Sequence, residues 1–244
     1  MLYNSVPKPE HFVKRKVKKY LKKCFPDEGC GLIVRGRFIP CDNVLHEMAR
    51  KTNFRIASRA MRKYAGKIDA VIHSHIKTPP YPSVFDMQRQ IETAVPWGVG
   101  VVSENKILDF FWFGGYQPVT FGRPFRHGAT DCYSLIRDYY HEKLNIDLPD
   151  FARAWEWWKT SDLLSDAFRS AGFRRLSAEE VKKPNDLVCI GVKTPRAHHC
   201  AIYLGNDKII HHPGGARPYD PLCKPRIESV YRYARHIKFW LRYD

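Results

Sequence analysis

The chain has 244 residues, 44% of them hydrophobic, and a formal net charge of +16. That content builds one large core or two small ones and excludes a disordered or membrane protein, and no apolar run approaches the roughly 18 residues of a membrane span. Residues 6–23 alternate basic and apolar side chains rather than forming an export signal, so synthesis in the cytosol is expected.

Lys14, Arg15, Lys16, Lys18, Lys19, Lys22 and Lys23 surround Val13, Val17 and Leu21, whose four-residue spacing predicts one buried face of a helix. The basic residues form either a solvated face or a docking surface for nucleic acid, peptidoglycan or an acidic protein. No nucleic-acid-binding module accompanies them, so specific nucleic-acid binding is not expected. Seven cysteines, Cys24, Cys30, Cys41, Cys132, Cys189, Cys200 and Cys223, are odd in number and lack a C-x-x-C pair, and read as reduced thiols.

Phe25-Pro26-Asp27-Glu28-Gly29 ends the basic helix, and the segments 31–34 and 35–40 read as two strands joined by a turn. A helix is predicted over 54–64 and a short buried strand over 68–75, ending in His73-Ser74-His75. On an extended backbone His73 and His75 face the same way. The prolines between His75 and Ser83 force a loop. Ser83 is then an N-cap, with Asp86 three residues on and Val84, Phe85, Met87, Ile91 and Val95 at helical positions. Asp86 alone reads as a capping-box carboxylate. Together with the two histidines it offers two nitrogens and one oxygen to one divalent metal, with a position left for water. Glu28 is the candidate base for that water, and Ser83 the candidate donor to the oxyanion.

Glu28-Gly29-Cys30-Gly31, His73-x-His75 and Ser83-x-x-Asp86 resemble the JAMM metallopeptidase motif, over about residues 10–112. The resemblance implies His73, His75 and Asp86 as ligands of one zinc ion per chain, Glu28 as general base and Ser83 as oxyanion donor. It also implies an α/β fold with a central curved sheet between helices. Ile76 stands where relatives often carry proline, which alters the loop and not the ligands.

Strands over 97–102 and 107–113 complete a first domain, 1–113, and Gly114-Gly115 open a linker over 114–122. In the second domain, 123–244, a turn-rich segment leads to Cys132, which starts a helix through Leu135, Ile136, Tyr139, Tyr140 and Leu144. There the free amides and dipole of the first turn favour a thiolate; taken alone, Cys132 also reads as a buried cysteine opening a core helix. Trp155, Trp157 and Trp158 form either an exposed contact or part of the core beside a helix over 162–171. A strand over 187–190 precedes His199, which begins the segment 199–205, and an Asn206-Asp207 turn returns the chain to His211. A nucleophile on a helix start and two histidines on neighbouring strands is how a thiolate, its proton acceptor and the acceptor's orienter converge. His198 and His212 point to the opposite side of their strands.

Asp131-Cys132-x-Ser134-Leu135-Ile136 and His199-x-x-Ile202-Tyr203-Leu204-Gly205 resemble the papain-related NlpC-type peptidases. The resemblance implies a papain-like α+β domain with an N-terminal helix and an antiparallel sheet, Cys132 as nucleophile, His199 as base and His211 as the polar residue orienting it. Tyr133 replaces the serine that usually follows the nucleophile, and Tyr133 and Tyr203 read either as pocket lining or as packing. The order of a JAMM-like and then an NlpC-type domain also resembles the tail assembly proteins of lambda-like siphophages. That implies a zinc metallopeptidase joined to a thiol peptidase, acting on a tail protein or on peptidoglycan peptides, with tail tip proteins and peptidoglycan as partners. The implied location is the host cytoplasm during assembly, then the tail tip or the host cell wall. The alternative is a catalytically silent structural or chaperone component of the tail tip.

Overall fold

The computed structural model describes residues 15–77, 80–104 and 106–244, in two compact units that divide between Gln117 and Pro118. Val13, Lys14, Thr78 and Pro79 of the expected basic helix and loop lie outside the described residues.

In the first unit, α1 (Arg15–Cys24) buries Val17 and Leu21 and leaves Arg15, Lys16, Lys18, Lys19 and Lys23 exposed. Then follow β1 (Cys30–Val34), β2 (Arg37–Cys41), α2 (Ser58–Lys63), β3 (Ile68–Ile76), α3 (Val84–Thr93), β4 (Trp97–Ser103) and β5 (Lys106–Phe113). The helix expected over 54–64 is confined to α2, because Ile56 bridges to Asn43 and the ring of Phe54 stacks on His73. The sheet order is β2-β1-β3-β4-β5, with β3 and β4 parallel and the other pairs antiparallel. Alternation along β3 separates two faces. Ala70 and Ile72 join Val102 and Trp112 beneath Val17 and Leu21 of α1. Val71, His73 and His75 face the other way with Trp97, whose Nε1 donates to Thr93 Oγ1 of α3 at 2.9 Å.

The curved sheet expected for this domain is not found: the sheet is open and neither curls nor closes. Closure takes a consistent stagger of strands, commonly with repeated bulges. Among the described residues the register shifts at two places, Ile33/Val34 and Val101/Val102, and β2 and β5 remain as edges.

In the second unit, β6 (Phe125–Arg126) precedes α4 (Cys132–Tyr139), which runs into a π-helical turn over Tyr140–Leu144; α5 (Leu163–Ser170) and β7 (Phe173–Arg175) follow. The remaining strands are β8 (Leu187–Ile190), β9 (His199–Gly205), β10 (Lys208–His211), β11 (Tyr219–Asp220), β12 (Arg226–Ser229) and β13 (Ile237–Tyr243). Five of these, with β7, form an antiparallel sheet ordered β12-β10-β9-β8-β13-β7. Asn206 and Asp207 both adopt positive φ, 50° and 57°, in the tight turn from β9 to β10.

This sheet is covered on both faces, which is why Leu187–Ile190 is apolar without alternation. Leu187, Cys189, Cys200 and Ile202 pack with Leu135, Ile136 and Phe168 of α4 and α5. Val188, Ile190, Ala201 and Ile209 pack with Val230 on the reverse face. Trp157 belongs to the first of these cores and Trp158 packs against it, while Trp155 lies against His127 and Trp158; the tryptophan segment is packing and not an exposed contact. Among the described residues, no helix is long and apolar enough to cross a membrane.

On the α1 face of β4, a Cβ at Gly98 would stand 2.8 Å from Ile72 Cδ1 and 2.9 Å from Trp112 Cζ3. Gly98→Val is therefore expected to cost about 1–3 kcal/mol through overpacking. A lower urea midpoint at unchanged slope is the expected readout.

Candidate active sites

Strand register builds the first site. Cys30 of β1 pairs with His73 of β3, and Gly29 and Ser74 exchange hydrogen bonds, Gly29 N to Ser74 Oγ at 2.8 Å and Ser74 N to the Gly29 carbonyl at 2.9 Å. Glu28, buried just before this pairing, stands near enough to Asp86 to feel its charge. From the other side comes α3, whose capping box holds Asp86: its Oδ2 accepts from Ser83 N at 2.8 Å and from Ser83 Oγ at 2.7 Å, and its own N donates back to Ser83 Oγ at 3.1 Å. Asp86 is a cap and a cluster member at once. His73 Nε2 and His75 Nε2 lie 3.1 Å apart, His75 Nε2 lies 3.2 Å from Asp86 Oδ2, and His73 Nε2 lies 3.4 Å from Asp86 Oδ1.

Those spacings fit a divalent cation. Nitrogen and oxygen ligands about 2.0–2.1 Å from a tetrahedral zinc stand about 3.3 Å from each other. The electrostatics fit as well. Burial pushes His73 below the ordinary histidine range, keeping it neutral as a ligand must be. Burial opposes ionisation of Asp86 too, but its contacts with His73 first, and then with His75, hold it well below the usual carboxylate range. Among the described residues the buried Nδ1 of His73 has no hydrogen-bond partner; its ring is oriented instead by Phe54, stacked at 4.4 Å, and by the edge of Trp97 at 5.6 Å. Phe54 and Trp97 also line an adjacent pocket of about 400 Å³, with Ile56, Met61, Val71 and Phe85 on its apolar walls. Ser83 is exposed and its hydroxyl is committed to Asp86, so donating to an oxyanion requires turning that proton outward.

The second site forms at the amino end of α4. Asp131 caps the helix, Oδ1 accepting from Ser134 N at 3.0 Å. Arg153 clamps the same carboxylate, Nε to Oδ2 at 2.8 Å and Nη2 to Oδ1 at 3.0 Å. Burial disfavours the Asp131 charge, but Arg153 outweighs it and holds the carboxyl well below its usual range. Cys132, in the first turn, lies beside Cys200 and His199: the hydrogen bond with the Cys200 thiol, and after it the hydrogen bond and charge of His199, hold its thiol well below the ordinary range against burial. His199 Nε2 in turn lies 2.8 Å from His211 Nδ1.

Cys132, His199 and His211 are thus brought together, while His198 and His212 are not. His198 Nε2 accepts from Val192 N and its ring packs on Trp158; His212 packs on Phe125 beside Cys223. Tyr133 is a packing residue, buried against Phe151 and Phe168 with its hydroxyl donating to the Pro149 carbonyl at 2.6 Å. Tyr203 packs edge-on against Trp240 in the reverse core. Sequence reasoning missed Arg153 and Cys200. A lone arginine between Ala152 and Ala154 and a cysteine in an apolar strand carry no local signal of their partners.

The NlpC/P60 family model matches residues 113–236, half of the chain. The chain belongs to the NlpC/P60 family. A second model, for prokaryotic homologs of the JAB domain, matches residues 12–113, so a JAB-like domain precedes the NlpC/P60 domain, the order the two sets of motifs imply. The chain is similar to tail tip assembly protein K of Escherichia phage lambda, 35% identical over 150 residues that cover 60% of this chain and 70% of the relative. It is also similar to tail tip assembly protein K of Escherichia phage N15, 26% identical over 220 residues that cover 86% and 89%. Among solved structures, the NlpC/p60 domain of the peptidoglycan hydrolase SagA is 22% identical with a TM-score of 0.32, over 51% of this chain and 86% of that one.

Glu28 supplies a pH signature. It is 4% exposed, and burial, followed by the charge of Asp86, pushes its carboxyl from 4.5 up to about 9. A proton held more tightly by the folded chain than by the unfolded one stabilises the fold below about pH 4.5, and that contribution is lost as pH rises toward about 9. Glu28→Gln, which cannot ionise, is expected to melt above the wild type in chelator-treated protein. The gap should widen from about pH 5 to about pH 9 and reach about 3 kcal/mol near neutrality. A gap independent of pH would contradict this reading of Glu28.

Proposed function

We propose that this protein is a peptide-bond hydrolase of phage tail-tip assembly, with a thiol site in its NlpC/P60 unit and a zinc site in its JAB-like unit. The observation that carries the reading is the meeting of Cys132, at the amino end of α4, with His199, which is itself backed by His211 at 2.8 Å. In this reading the Cys132 proton passes to His199 and the thiolate sulfur attacks the carbonyl carbon of a peptide bond. His199 gives the proton to the leaving amine as the C–N bond breaks, and the acyl group stays on sulfur. Water then adds to the thioester with His199 taking its proton, releasing the carboxylic acid and the free thiol. The preferred substrates are stem peptides of peptidoglycan, an anionic polymer suited to a chain of net charge +16; a tail protein is the alternative. The tail-tip setting follows the names of the two phage relatives.

In the JAB-like unit, His73, His75 and Asp86 would hold Zn²⁺, which would supply Lewis acidity toward a peptide carbonyl and water. Glu28 would take the proton of the attacking water, and Ser83 would donate to the oxyanion. Glu28 keeps its own proton near neutrality while the site lacks a cation, and a positive charge at the cluster lowers its pKa toward the ionised form a base needs.

Incubation with purified peptidoglycan and mass analysis of the fragments tests the thiol site. Wild type is expected to create new amine and carboxyl ends, and Cys132→Ala to reduce their formation by about 10³-fold or more. Equal fragment release by the two would exclude Cys132 as the nucleophile, and no release by wild type from peptidoglycan or tail proteins would favour the silent scaffold. For the metal site, elemental analysis of wild type should find about one zinc per chain. The double substitution His73→Ala and His75→Ala should remove it, and zinc retained at the wild-type level would refute the ligand set.

A further inference from the structure

His199, His211 and Glu228 stand in a diagonal row across three neighbouring strands, β9, β10 and β12. Ile209 pairs with Tyr203 on one side and with Glu228 on the other, so each member of the row is offset by two residues from its neighbour and all three share one face of the sheet. His199 Nε2 lies 2.8 Å from His211 Nδ1. On the far side of the same ring, His211 Nε2 lies 3.4 Å from Glu228 Oε2. His211 is fully buried and its Nε2 makes no hydrogen bond among the described residues, leaving this carboxylate oxygen as the acceptor it faces.

We propose that Glu228 is the outer member of a relay, a positioning residue that holds the proton of His211 on Nε2 and thereby presents His199 to Cys132. The proposal rests on the thiol-hydrolase reading. A neutral imidazole has one donor nitrogen and one acceptor nitrogen. With its Nε2 turned to His211, His199 receives the cysteine proton on Nδ1, so before that transfer it carries Nε2–H. That group donates to His211 Nδ1, and His211 must therefore keep its own proton on Nε2, toward Glu228. With the proton on Nδ1 instead, two N–H groups would oppose each other across 2.8 Å. When the thiol ionises, its proton moves to His199 Nδ1 and no proton leaves the relay.

The surroundings fix the carboxylate in that role. Glu228 Oε1 takes Arg226 Nε at 2.6 Å and Arg232 Nη1 at 3.3 Å, while Tyr233 donates its hydroxyl to Oε2 at 2.8 Å. Oε2 retains a lone pair for His211. The charged and titratable groups around His211 are His199 on β9, His212 just past the end of β10, Arg226 and Glu228 on β12, and Arg232 and Tyr233 from the 3-10 helix Val230–His236. Burial, and then the charges of His199 and Arg226, push His211 down to about 2, so it stays neutral while Cys132 titrates.

Two readouts that need no substrate test the relay. Nitrogen-15 spectra of histidine-labelled protein report which ring nitrogen of His211 is protonated, the signal being assigned by its loss in His211→Gln. The pH dependence of Cys132 alkylation by iodoacetamide, followed by peptide mass spectrometry, reports its thiolate. Wild type is expected to show His211 as the Nε2–H form. Glu228→Leu should mix the two tautomers and raise the apparent pKa of Cys132 by about one unit, slowing alkylation about tenfold below that pKa and converging with wild type above it. Glu228→Gln keeps an acceptor oxygen and should stay within about threefold of wild type, a difference under about half a pKa unit. An Nδ1–H form in wild type, a folded Glu228→Leu with unchanged tautomer and profile, or a Gln variant as slow as the Leu variant would overturn the relay. Failure of the hydrolase reading appears elsewhere, as fragment release that does not depend on Cys132.

Discussion

Backbone pairing between adjacent strands governs where the candidate site residues of both units stand. In the JAB-like unit the pairing of β1 with β3 sets Cys30 against His73, although 43 positions of sequence separate them. In the NlpC/P60 unit the pairings of Ile209 with Tyr203 and with Glu228 align a histidine, a second histidine and a carboxylate on one face. A slip of one residue in any of these ladders would turn its side chains to the opposite face. The apolar residues between the polar ones prevent that slip, since Ile72 and Ala70, or Cys200 and Ile202, would leave their cores along with it.

Each unit also aims a helix amino terminus at its site, but the two capping carboxylates have different freedom. Asp131 spends both oxygens on Gly128 N, Ser134 and Arg153, which anchors the first turn of α4 and leaves Cys132 to meet His199. A buried ion pair of this kind contributes little to net stability beyond replacing it with apolar side chains, yet losing one partner strands the other charge. Asp86 is capped by Ser83 through Oδ2 alone and keeps Oδ1 directed at His73. The same local device therefore fixes a helix in one unit and completes a donor cluster in the other.

Much of this was legible in the sequence wherever the geometry is local. His73-x-His75 on a strand and Ser83-x-x-Asp86 at a helix start place side chains by rules spanning two or three residues. Cys132 after Asp131, ahead of Leu135, Ile136 and Tyr139, announces a capped helix by the same short-range logic. Where two readings were open, packing decided between them: Tyr133, Tyr203 and Trp157 are apolar bodies enclosed by residues far along the chain, and no count of neighbours in sequence reveals that enclosure.

By itself, then, the sequence determined the order of two domains and the local patterns that carry their candidate metal donors and the cysteine at the start of α4. Only the tertiary structure decided that the first sheet is open rather than curved, because closure depends on accumulated stagger across five strands and not on the pattern within any one. Only it paired Arg153 with Asp131, Cys200 with Cys132 and Glu228 with His211. Each of those contacts joins residues 17 to 68 positions apart, and side chains at that separation meet only after hydrophobic burial and strand register have fixed the backbone between them.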